Sequence, residues 1–356
     1  MVPALAAGCR TGTHASGEVT AGRGNRAPDV VSARLVCRLL GGNPGAKAAT
    51  ITGADGAQSV RVGGTAYWFF GDTVRQGPNG RQDVVQASVA TSQDFDGSNC
   101  VDLTFKASLG VAQPLFSHGA ETTAWPDGIL PLADGSIDFY MVRAIRTSPF
   151  AWYVGSVGLG RVAPNSVEGS RVVDTIWDDQ SGFGSRVTGA RSPVRVGNDV
   201  IVYLHTDAGH DYVAKAPLAR ISEAAAYTYW DGAGWTTSAA KAAAMWSEPG
   251  NGFPPDNGVS VIHDRASGKW LAIYNDHLAS IDVRTADDPW GPWSAPKQWL
   301  DCHPLVGDQY PYCYSAEPHP ELSRDGTTLY LTFSGQEPYD VSLVELKLSS
   351  SLELSR

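Results

Sequence analysis

Tyr67-Trp68-Phe69-Phe70-Gly71-Asp72-Thr73 is a run of four aromatic side chains that stops at a Gly-Asp turn. Aromatic residues favour strands, and Gly-Asp favours a turn. Four comparable strands follow along the chain: Phe139-Tyr140-Met141-Val142, Val200-Ile201-Val202-Tyr203, Trp270-Leu271-Ala272-Ile273-Tyr274 and Leu329-Tyr330-Leu331-Thr332-Phe333. They stand roughly 60 to 70 residues apart, a long repeat that a radial fold accommodates. Each repeat opens on a polar cluster, passes through a strand and a Gly-containing turn into the aromatic strand, and ends on a further strand. The pattern predicts an all-β chain folded as one five-bladed β-propeller, a single domain over residues 31–350. A strand near Val36 is expected to complete the last blade, because closing the ring removes exposed sheet edges. A pair of β-sandwiches is the alternative, and five similar units argue against it. Another strand is expected at 84–90, and one short helix at 221–229, where Ala is concentrated.

Composition agrees with many short strands. The 356 residues include 39 Gly and 22 Pro, and 42% are hydrophobic, enough for a large core. The formal net charge is -10, and no cluster of Lys or Arg occurs. Nucleic acid is therefore not an expected partner, since phosphate backbones are bound by basic groups. No run approaches about 18 apolar residues, so no segment reads as a membrane-spanning helix.

Residues 1–9, ending Ala6-Ala7-Gly8-Cys9, read as the remnant of a signal peptide with small residues before a cysteine. They resemble a bacterial lipoprotein processing site in which Cys9 receives the lipid. Leu5 stands one place too far from Cys9 for that pattern, and a trimmed chain end is the plain alternative. Residues 10–30 are mostly small and polar and read as a flexible tether. The expected location is outside the cell, secreted or lipid-anchored at a bacterial surface, as a monomer. Four other cysteines remain, an even set that suggests two disulfides in an exported chain. Cys302 with Cys313 closes a short loop, which leaves Cys37 with Cys100. Zinc is not expected, because neither CxxC nor HExxH spacing occurs.

Asp55, in Gly53-Ala54-Asp55-Gly56, precedes a strand, and Asp72 ends the next one. A hairpin through Gly63-Gly64 would bring both carboxyl groups to one end of the fold. Glycosidic hydrolysis needs such a pair, one acting as acid and one as base or nucleophile. Desolvation beside aromatic bulk raises the pKa of an aspartate, which suits a general acid. The plain alternative is that both residues only shape turns. Further polar clusters fall at matching places: Trp125-Pro126-Asp127-Gly128, Ala190-Arg191-Ser192-Pro193, Pro255-Asp256-Asn257-Gly258 and Ser315-Ala316-Glu317-Pro318-His319. First strands of propeller blades converge on the axis, so these clusters could build one pocket or merely turn the chain into each blade. Of the 11 Trp, Trp125 beside Asp127 is the candidate for stacking on a sugar, whereas Trp290, Trp293 and Trp299 read as structural. Neither His205 with His210 nor His263 with His277 has a recognised metal-ligand spacing, and no G-x-S-x-G nucleophile motif occurs.

The Phe70-Gly71-Asp72-Thr73 run resembles the "FGDT" signature of domain-of-unknown-function family 4185, grouped as glycoside hydrolase family 183. Asp288-Pro289-Trp290-Gly291-Pro292-Trp293-Ser294 and Glu317-Pro318-His319-Pro320-Glu321-Leu322 carry further likeness, which spans roughly residues 31–348. The resemblance implies a five-bladed propeller that acts as an endo-D-arabinofuranosidase on the D-arabinan of mycobacterial-type arabinogalactan and lipoarabinomannan. It implies an inverting mechanism with two aspartates, matched here by Asp72 as general acid and Asp55 as general base, with the roles exchangeable. Gln58, Trp125, Asp127, Arg191, Asn275 and Glu317 are the candidates for holding sugar hydroxyls. No cofactor is needed for this chemistry, and a structural cation in the propeller channel is left open. Two rivals stand beside this reading. One is an L-arabinanase or xylosidase type of propeller with Asp55, Asp127 and Glu317 as its triad. The other is a non-catalytic carbohydrate-binding propeller, since one fold serves many functions.

Overall fold

Four consecutive aromatic residues make a strand with no polar face, so the strand Thr65–Phe70 must be covered on both sides. In the computed structural model, which describes residues 27–77, 80–117, 123–148, 151–246, 258–306, 313–336 and 339–355, it is. Trp68 and Phe70 enter one apolar cluster, and Tyr67 and Phe69 enter another on the opposite face. Burying a side chain of this size contributes about 1.5–3 kcal/mol. The other aromatic strands are sandwiched in the same way. Tyr140 and Phe139 belong to different clusters, as do Val202 and Tyr203, Ile273 and Ala272, and Leu331 and Tyr330.

Those strands sit inside five antiparallel sheets of four or five strands. The first joins Gln58–Val62, Thr65–Phe70, Ser88–Ser92 and Thr104–Phe105. The second joins Thr123–Pro131, Ile137–Ser148, Ala151–Val162 and Gly169–Trp177. The third runs from Val187–Val196 through Asp199–Thr206 and Asp211–Pro217 to Thr228–Trp230 and Trp235–Thr236. The fourth joins Ser260–Asp264, Lys269–Asp276, Ser280–Ala286 and Lys297–Asp301, with Leu354–Ser355 paired to the free edge of Ser260–Asp264. The fifth joins Tyr314–Pro318, Thr328–Gln336 and Tyr339–Leu348, and the N-terminal strand Val30–Arg38 completes it. The chain thus begins and ends its sheets side by side, as expected from the strand near Val36.

The sheets contact one another in a cycle. One apolar cluster lies between the first and second sheets, one between the second and third, and one each between the third and fourth and the fourth and fifth. The last lies between the fifth and the first, where Trp68 also stacks on His319 at 4.7 Å. Under that stack, Ser59 Oγ and His319 Nδ1 are 2.6 Å apart, and Thr332 Oγ1 lies 2.7 Å from His319 Nε2. Trp290 and Trp293 pack beside the cluster between the third and fourth sheets, and Trp299 lies within the one between the fourth and fifth.

Two local expectations are corrected. The predicted strand at 84–90 is two strands, Gln82–Val85 and Ser88–Ser92. Gln82–Val85 pairs instead with Thr73–Gln76 in a separate three-stranded sheet, and Ser88–Ser92 returns to the first sheet. The predicted helix at 221–229 is not an α-helix. Ala224–Ala226 makes a single 3-10 turn, and Thr228–Trp230 then pairs with the strand before it. Tyr227 decides this, because its hydroxyl is buried against the Ile221 carbonyl at 2.7 Å and the Tyr140 hydroxyl at 2.9 Å.

The signal remnant, Cys9 and most of the 10–30 tether lie outside the described residues. The tether's end, however, is packed against the fold: Lys297 Nζ donates to the Ala27 carbonyl at 2.7 Å and Trp299 Nε1 to the Pro28 carbonyl at 2.9 Å. No helix among the described residues is long and apolar enough to cross a membrane. Both expected disulfides form, Cys37–Cys100 and Cys302–Cys313. Cys37–Cys100 ties the N-terminal strand of the fifth sheet to a loop of the first, across a separation of 63 residues. Loop-closure entropy predicts that Cys37→Ser with Cys100→Ser lowers stability by about 4 kcal/mol, against about 3 kcal/mol for Cys302→Ser with Cys313→Ser. Urea unfolding of the two double variants measures this order; a larger loss for the second pair would contradict it.

Candidate active site

The main chain places Asp55 and Asp72 together. Gln58 pairs with Phe69, and the contact continues beyond the strand ends. The Gly71 N–H donates to the Asp55 carbonyl at 2.7 Å, and the Asp55 N–H to the Asp72 carbonyl at 3.3 Å. A Cβ on residue 71 would lie 2.3 Å from Asp55 Oδ1, so the carboxyl group occupies the space a side chain would need. The glycine of the Gly-Asp turn is thus part of the seat of Asp55.

Both carboxyl groups are held from neighbouring sheets. The Trp125 indole Nε1 donates to Asp72 Oδ1 at 2.7 Å. The Tyr314 hydroxyl donates to Asp55 Oδ2 at 3.3 Å. The Tyr339 hydroxyl, with one proton to give, faces both the Asp72 carbonyl at 3.0 Å and the Asp55 carboxyl group, two acceptors that share it. Burial, and secondarily the charge of Asp72, push the Asp55 carboxyl up to about 7, against the opposing pull of the two tyrosines and the backbone. Burial and then the charge of Asp55 push both tyrosine hydroxyls well above their ordinary value, so they stay protonated donors.

The pair opens on a cleft of about 390 Å³. Gln58, Trp125, Asp127 and Arg191 line it with Asp55 and Asp72. Three of the polar clusters that supply the cleft sit at irregularities in first strands, where the pairing register shifts between Pro126 and Ile129, Arg191 and Val194, and Tyr314 and Glu317. Bulges of this kind turn side chains away from the alternating pattern and occur beside functional sites. Ser192 and Ser315 take left-handed backbone angles there, φ 49° and 53°. The cluster at Pro255-Asp256-Asn257 lies outside the described residues.

Arg191, 3% exposed, lies between two carboxylates. Its Nε is 3.5 Å from Asp127 Oδ1, and its Nη2 is 3.2 Å from Glu317 Oε2. Asp127 Oδ2 also accepts the Ala190 N–H at 2.6 Å, and a Cβ on Gly189 would approach that oxygen to 2.9 Å. Burial raises the Asp127 carboxyl even so, with the Arg191 charge as the largest opposing influence. The structure brings neither Glu317 nor Asn275 to the cleft wall. Glu317, 4% exposed, accepts from Ser260 Oγ as well as from Arg191. Asn275 holds the strand behind the cleft, with Oδ1 accepting the Ala316 N–H at 2.7 Å and Nδ2 near Cys313 Sγ at 3.5 Å. Among the described residues no group of three or more His, Cys, Asp or Glu gathers to hold a metal.

Trp152, Tyr314 and Tyr339 were not singled out by the sequence, and His205 was weighed there only as a metal ligand. His205 lines the cleft with its Nδ1 3.0 Å from Asp211 Oδ1. Tyr314 follows Cys313 directly, so the short disulfide loop was its one available signal.

The family model described as Domain of unknown function (DUF4185) matches residues 41–345. No curated protein matches the sequence. Solved structures do resemble it in shape. A candidate hydrolase from Bacteroides ovatus ATCC 8483 has a TM-score of 0.62 at 13% identity, covering 86% of this chain and 87% of its own. The α-L-arabinofuranosidase CtGH43 from Clostridium thermocellum ATCC 27405 has a TM-score of 0.55 at 10% identity, covering 84% and 93%. The α-L-arabinofuranosidase PaAbf62A from Podospora anserina, solved with cellotriose, has a TM-score of 0.52 at 11% identity, covering 91% and 98%. At such identities the likeness establishes a shared propeller-like β fold and nothing about activity.

The raised Asp55 carboxyl has a consequence for stability. Its folded value of about 7 exceeds the ordinary aspartate value of 3.8, so the folded state binds the proton more tightly than the unfolded one. Stability is therefore present in full below about pH 4 and declines as pH rises towards 7. Asp55→Asn removes that decline. Its Tm should match the wild type near pH 4 and exceed it at pH 8; an equal difference at both would contradict the assignment. Thermal unfolding at the two pH values measures it.

Proposed function

The chain belongs to the family described as Domain of unknown function (DUF4185), and from that premise we propose that it is an exported glycoside hydrolase, an endo-acting α-D-arabinofuranosidase. Its substrate is the D-arabinan of mycobacterial-type arabinogalactan and lipoarabinomannan. The five cyclically packed sheets are the blades of one propeller, and the cleft at one end of it is the active site. The observation that carries the reading is the Asp55–Asp72 pair, seated by Gly71 and held by Trp125, Tyr314 and Tyr339 at the mouth of an open cleft. That two solved structures of this fold are α-L-arabinofuranosidases is consistent with a glycosidase. The likeness of the Phe70-Gly71-Asp72-Thr73 run to the D-arabinanase family supports the D-sugar.

Asp55, which keeps its proton close to neutrality, is the general acid in this reading and donates to the glycosidic oxygen as the bond breaks. Asp72 is the general base. It takes a proton from a water that attacks the anomeric carbon from the opposite face, and the product has inverted configuration. The roles first matched to the two aspartates are thereby exchanged, on the ground that the carboxyl raised to about 7 is Asp55. The step needs no cofactor.

The rival triad of Asp55, Asp127 and Glu317 fits the geometry less well. Glu317 is buried, accepts hydrogen bonds from Arg191 and Ser260, and does not line the cleft. A proton donor must reach the leaving oxygen.

Incubation of the protein with mycobacterial arabinogalactan should release oligosaccharides, resolved by chromatography. Asp55→Asn and Asp72→Asn should each lower kcat by about 10²–10⁴-fold. Oligosaccharides from L-arabinan instead, or sugar bound without turnover, would move the rival readings to the front. For the wild type, kcat/KM should fall as pH rises through about 7, where Asp55 loses its proton. Tyr339→Phe removes a hydrogen bond that lowers the Asp55 pKa, so the alkaline limb should move to higher pH. A pH–rate profile that stays in place, or moves down, would remove Asp55 from the acid role.

A further inference from the structure

Trp125 is poorly placed to stack on a sugar. Its indole N–H is committed to Asp72 Oδ1 at 2.7 Å, and its ring packs nearly perpendicular to that of Trp152, with centroids 5.0 Å apart and planes at 77°. Trp152 has the opposite character. It lines the same cleft and is 44% exposed, whereas Phe69 and Tyr314, also on the cleft wall, are 1% and 4% exposed. A large exposed aromatic ring on a cleft wall is costly in water and is suited to a ligand with an apolar face.

The element that carries Trp152 is built to reach. Ile137–Ser148 and Ala151–Val162 are 12 residues each, while the corresponding hairpin strands of the third sheet, Asp199–Thr206 and Asp211–Pro217, have 8 and 7. Four extra residues at about 3.3 Å each project the hairpin roughly 13 Å further. The extension lies beyond the point where Thr123, the first residue of its neighbouring strand, pairs with Ala144. Trp152 faces the cleft, and Tyr153, its neighbour in the strand, points away and carries Arg186 over its ring at 5.0 Å. Alternation along a strand requires this division.

We propose that Trp152 is the stacking platform of a second sugar subsite, which takes the C–H face of a sugar next to the one attacked at the dyad. The inference rests on the glycosidase reading and deepens it. The chain Asp72, Trp125, Trp152 sets the platform about one sugar away from the catalytic carboxyl group, because one ring separates them. An additional seated sugar favours a longer chain over a short one.

The test compares kcat/KM for long and short α-D-arabinofuranosyl oligosaccharides. In Trp152→Ala the ratio of long to short should fall about tenfold, and Trp152→Phe should restore most of it. Tyr153→Ala, on the opposite face of the same hairpin, should leave the ratio where it is. An unchanged ratio in Trp152→Ala, or an equal fall in Tyr153→Ala, overturns the subsite. If the wild type hydrolyses neither substrate, the glycosidase reading fails on its own. The subsite is then judged by calorimetric titration of Asp72→Asn with the long oligosaccharide. Adding Trp152→Ala should weaken that affinity about tenfold, and equal affinities, or no binding to either variant, overturn it.

Discussion

Two main-chain hydrogen bonds, from Gly71 to Asp55 and from Asp55 to Asp72, are the constraint on which the candidate site depends. They extend the ladder of one hairpin past its last strand residues and so fix two carboxyl groups that are 17 positions apart in sequence. On their far side the pairing of Ala54 with Thr73 carries the contact on into the three-stranded sheet, so the two aspartates lie where two ladders meet, and Trp125, Tyr314 and Tyr339 grip what those ladders present. The hairpin in turn is rigid because its aromatic strand is buried on both faces. The packing that makes the fold and the placement that makes the site are therefore one arrangement of the same seven residues, from Tyr67 to Thr73.

The same logic explains why the site lies at sheet junctions. Three of the five first strands break their pairing register where their polar clusters fall, beside Asp127, Arg191 and Ser315. A regular strand would send alternate side chains into the apolar clusters between sheets. The irregularity releases a polar residue towards the cleft while the flanking residues, such as Ala124 and Ile129, stay in the core. Ser192 shows how the backbone angle is held: its hydroxyl accepts the Val261 N–H at 2.7 Å and donates to the Val261 carbonyl at 2.9 Å, bridging to the next sheet.

Much of this was legible from local pattern. The aromatic strands, the closing N-terminal strand, both disulfides and the juxtaposition of Asp55 with Asp72 follow from short-range signals. Other features were not. Thr123–Pro131 carries two prolines and an Asp-Gly pair, which read as a turn, and only pairing with Ile137–Ser148 makes it a strand. The Ala224–Ala226 run reads as helix until the buried hydroxyl of Tyr227 is taken into account. Asn275 and Glu317 are polar residues at plausible places, yet tertiary hydrogen bonds turn them inward. Tyr339 touches the dyad from the fifth sheet, and nothing in its sequence neighbourhood marks it.

The cleft separates carboxyl groups by the donors they meet rather than by their kind. Glu317 meets a guanidinium and a hydroxyl in a buried setting behind the cleft. Asp127 shares that guanidinium and gains a backbone N–H, yet burial still outweighs them. Asp55 meets only phenolic hydroxyls and a backbone group, with the like charge of Asp72 beside it, and its proton is held to about neutral pH. Phenols are weaker partners for a carboxylate than guanidinium is. Exchanging the environments of Asp55 and Glu317 would move the proton-holding carboxyl from the cleft lining to a position behind it. The aromatic residues gripping Asp55 and Asp72 thus do more than pack: they surround with phenols, not cations, the carboxyl group that burial raises to about 7.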